Sequence, residues 1–142
     1  MRKKSRLQID LEVASRGLLL QQSEDPLAEA EKLYRKFRHT KKESVRAAVS
    51  IRGFFMEKGV SPEEKEIYGE YIRAHILPIA GELVEEENIT AFSTLEEKGW
   101  ISKEDLDQLI EMASDWKKTG MLVHLMHIKN EAYGFSDDDF SI

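Results

Sequence analysis

Apolar positions along this chain recur three and four residues apart, the spacing that lines one face of an α-helix, and polar or glycine-containing runs separate the stripes. Leu27, Ala30, Leu33, Tyr34 and Phe37 form the first clean stripe. Asp25 before it is placed to cap the free N–H groups, and Pro26 at the first helical position loses no bond. The next helix is expected from about Glu43 to Lys58, faced by Val45, Ala48, Val49, Arg52 and Phe55, with Gly59 as its stop. Ser61-Pro62-Glu63-Glu64 opens another, faced by Ile67, Tyr68, Tyr71, Ile72 and His75. Pro78 falls inside that pattern; it lacks a donor and crowds the preceding turn, which predicts a break between Arg73 and Pro78 and a new helix to about Glu86. Asn88 and Ser102 open two more helices, Gly99 closes the first of them, and Thr119-Gly120 reads as the turn before the last helix, which Gly134 ends. Residues 1–20 alternate at Leu7, Ile9, Leu11 and Val13 like a strand, yet Leu7, Leu11, Ala14 and Leu18 also share a helix face. A lone strand would have no partner, so helix is the expectation.

A shift of 33 residues brings the apolar positions of Ile76–Glu131 into line with one another. Ile76 meets Leu109, Leu77 meets Ile110, Ala80 meets Ala113, Leu83 meets Trp116, Ile89 meets Leu122, Phe92 meets Leu125 and Leu95 meets Ile128. Each copy reads as helix, short polar turn, helix, and such a pair buries its stripe only by stacking on a neighbour. The expected core is Ile89, Phe92, Leu95, Leu106, Leu109, Ala113, Leu122, Leu125 and Ile128. Trp116 is expected in it too, and Trp100 over the seam between copies.

A helix pair of this period resembles the ankyrin repeat, and Ile89-Thr90-Ala91-Phe92-Ser93-Thr94-Leu95-Glu96-Glu97-Lys98-Gly99 is similar to the second helix and Lys-Gly stop of one. Ala80 and Ala113 match the small residue where the paired helices approach. The Thr-Pro-Leu-His signature is absent from both copies. Residues 26–59 have the length of a tetratricopeptide unit. The resemblance implies a binding scaffold and supplies no catalytic residue. The expected fold is therefore all-α, about seven helices in antiparallel pairs forming a short ankyrin-like α-solenoid stack. It spans residues 1–134 as one domain, basic helices to residue 60 and helix pairs over 61–134, with an acidic tail at residues 135–142.

Charge changes this picture in one respect. Residues 1–46 hold 12 Lys/Arg against 7 Asp/Glu, and the remainder 9 against 20, within an overall formal charge of −6. Arg35, Lys36, Arg38, Lys41, Lys42 and Arg46 gather at one helix junction and make the candidate anion-binding cluster. Nucleic-acid binding would use such charge together with a helix that enters a groove. The junction has few Asn or Gln to read bases, and the acidic remainder opposes it.

The chain has no cysteine, which excludes disulfides, thiolate zinc sites and cysteine nucleophiles and fits a reducing, cytoplasmic setting. No apolar run approaches the roughly 18 residues of a membrane span. His124 and His127, three apart on one helix, are the one pair spaced for a metal; His39 and His75 would need folding to join them. Glu63-Glu64-Lys65-Glu66 and Glu85-Glu86-Glu87 could offer carboxylates, but acids at helix ends are usually solvated or serve the helix dipole. Ser61 and Ser102 are explained as caps, Ser5 and Ser15 sit in no nucleophile motif, and no phosphate-binding glycine loop occurs. The expectation is a non-catalytic protein-binding scaffold with a protein partner, no nucleic acid, no membrane and no cofactor. A small nucleic-acid-associated regulator working through the basic helices is the alternative.

Overall fold

Side chains just ahead of the helices fix where four of them begin. Asp25 accepts the Leu27 amide, Ser61 the Glu64 amide, Asn88 the Ala91 amide and Ser102 the Asp105 amide, at 3.0–3.1 Å. Asp105 returns its carboxylate to the Ser102 amide, closing a capping box.

A computed structural model of the protein describes residue 4, residues 6–20 and residues 25–134. Over these residues the chain is all-helical, with no strand: α1 (Arg6–Leu20), α2 (Pro26–His39), α3 (Glu43–Phe54), α4 (Pro62–Ala74), α5 (Ile76–Glu85), α6 (Ile89–Glu97), α7 (Lys103–Asp115) and α8 (Thr119–Tyr133). Eight helices thus replace the expected seven or so. The break expected ahead of Pro78 is present: α4 stops at Ala74, His75 leaves helical geometry (φ −125°, ψ 38°), and α5 restarts at Ile76. Pro78 then sits in the first turn of α5, where a backbone N–H has no helical partner to lose. The acidic tail expected over residues 135–142 lies outside the described residues.

The described chain divides into two compact units, one of residues 4–82 and one beginning at residue 83. In the first, α3 packs against α1, α2 and α4. Its buried positions are small, Ala47, Ala48, Val49, Ser50 and Gly53, so three neighbours can approach it at once. Tyr68 of α4 lies fully buried over this helix, with Leu33 and Val49 beside it. α3 ends at Phe54, four residues before its expected end. From the loop that follows, Met56 and Val60 pack against the Leu33–Val49–Tyr68 core. Gly59 turns this loop at φ +92°, where a Cβ would lie 2.5 Å from the Pro26 carbonyl oxygen. Two polar contacts tie the unit further: Arg52 donates from Nε and Nη2 to Glu29 Oε1 at 3.0 and 2.8 Å, and buried Gln8 donates to buried Glu82 at 3.1 Å.

In the second unit α7 packs against α8 over Leu106, Leu109, Ala113, Leu125 and Ile128, all buried, as are Phe92 and Leu95. The turn after α5 and the turn after α7 are copies of one another. Glu87 and Lys117 both take positive φ, 51° and 58°. The Asn88 amide donates to the Leu83 carbonyl at 2.9 Å, and the Lys118 amide to the Ala113 carbonyl at 2.8 Å. The Glu87 and Lys117 amides reach back to Val84 and Ser114 in the same way. These equivalences are 30 residues apart, not the 33 at which the apolar positions align. The turn after α6 has the same form, with Gly99 at φ 75° and the Gly99 and Trp100 amides donating to the Glu96 and Leu95 carbonyls, so this is a general way of ending a helix and does not by itself set a repeat spacing. Ile89, expected in the core, is the first residue of α6 and is exposed. Trp116, also expected there, is the half-buried residue that ends α7. Leu122 is half-buried, and Trp100 is half-buried with Lys98 Nζ 5.6 Å above its ring.

Glycine-to-alanine exchange should have opposite signs at two helical positions. A Cβ on Gly53 would lie 2.3 Å from the buried Tyr68 ring, so overpacking should outweigh the helix-propensity gain and Gly53→Ala should lose about 1–3 kcal/mol. Nothing lies within 4 Å of a Cβ on Gly17, and Gly17→Ala should gain about 0.5–1 kcal/mol. Urea denaturation of both variants checks the pair.

Candidate functional site

The basic junction is built by a two-residue link after the Thr40 cap. α2 ends at His39, Thr40 caps it in extended conformation, and Lys42 leads into α3 without a side-chain cap of its own. Thr40 holds the link from both sides. Its hydroxyl accepts the Lys42 amide at 3.2 Å and its carbonyl accepts Arg46 Nη2 at 2.8 Å. Arg46 also lies over the Phe37 ring at 5.7 Å, so this member of the candidate cluster is turned into the fold. Lys36 is half-buried. Arg35, Arg38, Lys41 and Lys42 are exposed, Arg38 stands 5.8 Å from the Tyr34 ring centre, and among the described residues none of these four has an ion pair. Four of the six expected residues therefore form an open cationic surface, and one of the remaining two is structural.

A carboxylate sits against that surface. Glu43, the first residue of α3, accepts a short hydrogen bond from the Tyr71 hydroxyl and one from His75 Nε2 at 2.9 Å. His75 Nδ1 lies 3.0 Å from the Tyr71 carbonyl oxygen, and the two rings stack with centroids 4.1 Å apart. Both imidazole nitrogens face acceptors, so a doubly protonated ring satisfies both contacts and a neutral ring only one. Phe37 meets the edges of Tyr68 and Tyr71 at 5.2 and 5.6 Å, which fixes α2 against α4. Sequence reasoning missed this trio. Tyr71 and His75 are one helical turn apart, but no local pattern joins them to Glu43, 28 residues away.

Burial, followed by the hydrogen bond and the charge of Glu43, pushes the Tyr71 phenol above its ordinary ionisation range, and Arg46 opposes part of that shift. Tyr68 is pushed the same way by burial first, then by Glu64 and Tyr34. Among the described residues the Tyr68 hydroxyl has no hydrogen-bond partner.

The histidine pair on α8 diverges. His124 Nε2 lies 3.0 Å from Ser93 Oγ of α6, with its ring edge-on to Phe92, while His127 pairs with Glu131 at 3.1 Å on the exposed side. No cluster of three potential metal ligands occurs among the described residues. The acid runs are divided between solvent and structure. Glu63, Glu66 and Glu86 are exposed. Glu85 pairs with Lys118 at 3.7 Å. Glu87 Oε2 accepts the Met121 amide at 3.2 Å and so caps α8, whose own leading residue Lys118 supplies no side-chain cap. Gly120 opens this approach, since a Cβ there would lie 3.1 Å from the same oxygen.

Comparison of the chain with family models, with characterised proteins and with solved structures finds no match. Among the described residues no helix is long and apolar enough to cross a membrane.

The tyrosine shifts set a pH dependence. With the folded pKa raised above the ordinary 10.0, the Tyr71 contribution is complete below that value. Above it the unfolded chain releases the proton that the folded chain keeps, and the contribution fades. Tyr71→Phe should cost about 1 kcal/mol near pH 8, and its deficit against the parent should narrow by about pH 11. Chemical denaturation at the two pH values checks this; a deficit that widens would contradict it.

Proposed function

We propose that the protein is a non-catalytic scaffold that binds a protein partner through a short helical-repeat surface in the unit beginning at residue 83. One observation carries the reading: Glu87, in the turn after α5, accepts the Met121 amide of α8, so a side chain of one turn serves the helix that follows the other. Three contacts support stacking of the two pairs. Glu87 of the first turn caps α8 of the second pair, Lys118 of the second turn reaches Glu85, and His124 of α8 meets Ser93 of α6. In this reading α7 and α8 pack as a pair, and the turn that leads into α6 is held against them by these contacts. Side chains outside that seam are free to diversify, which suits a binding surface rather than a reaction centre.

The four exposed cations at the α2–α3 junction favour a second reading, a nucleic-acid-associated regulator. Glu43 and the capture of Arg46 by Thr40 reduce the charge available there. The two readings separate in one experiment. Pull-down from native lysate, with and without nuclease, should recover a nuclease-resistant partner that cross-links to residues 83–134. Purified protein should bind duplex DNA no tighter than roughly 10⁻⁴–10⁻⁶ M at physiological salt, the non-specific range. Capture that disappears on nuclease treatment, with nanomolar binding by anisotropy that weakens in Lys41→Ala plus Lys42→Ala, would replace the scaffold by the regulator.

A further inference from the structure

No further inference is drawn: the strongest candidate, the exposed cationic surface of Arg35, Arg38, Lys41 and Lys42 at the α2–α3 junction, belongs to the nucleic-acid reading already described, and nothing in the structure shows which anion covers it.

Discussion

The carboxylate of Glu87 joins two turns that sequence places 30 residues apart. It stands on a residue at φ 51°, in the left-handed region that a glutamate adopts only at some cost, and its oxygen satisfies the Met121 amide near the start of α8. α8 has no side-chain cap of its own, so Glu87 supplies locally what Asn88 supplies for α6. The glycine at position 120 is what lets the oxygen come close. Two further contacts join the same segments, from Lys118 to Glu85 and from His124 to Ser93. The scaffold proposal depends on these contacts.

The unit of residues 4–82 follows a different constraint, the narrowness of α3. Its alanines, Ser50 and Gly53 let α1, α2 and α4 close in, and Tyr68 fills the space that Gly53 leaves. Some of its charge is held within the fold. Arg52 is committed to Glu29, Arg46 to the Thr40 carbonyl, and Glu43 to Tyr71 and His75. What remains outward at the α2–α3 junction, Arg35, Arg38, Lys41 and Lys42, is a small cationic surface with an acid beside it. This is a weaker lure for phosphate than the sequence count of basic residues suggests.

Much of the helix layout was legible because caps and breakers act over three or four residues. Asp25, Ser61, Asn88 and Ser102 cap the helices they precede, and Pro78 forces the break at His75. Features that depend on distant residues were not legible. α3 ends at Phe54 with no glycine or proline directly after it, and Met56 and Val60 reach the core that includes Tyr68 from the loop that follows. The Glu43–Tyr71–His75 cluster needs α3 and α4 brought together. Apolar periodicity does not show where a chain leaves a helix, whereas a positive-φ turn does. Lys117, which carries that turn in the second pair, is a residue type that gives no hint of left-handed geometry.

Amide hydrogen exchange in Glu87→Ala tests the contact of Glu87 with α8 most directly. Alanine keeps the Cβ and the positive φ and removes only the carboxylate. The account predicts that exchange at Met121 accelerates by about five- to thirtyfold, the loss of an N-terminal cap of roughly 1–2 kcal/mol, while the Ala91 amide held by Asn88 keeps its protection. Unchanged protection at Met121 would show that Glu87 does not hold α8, and the proposed scaffold would lose its physical basis.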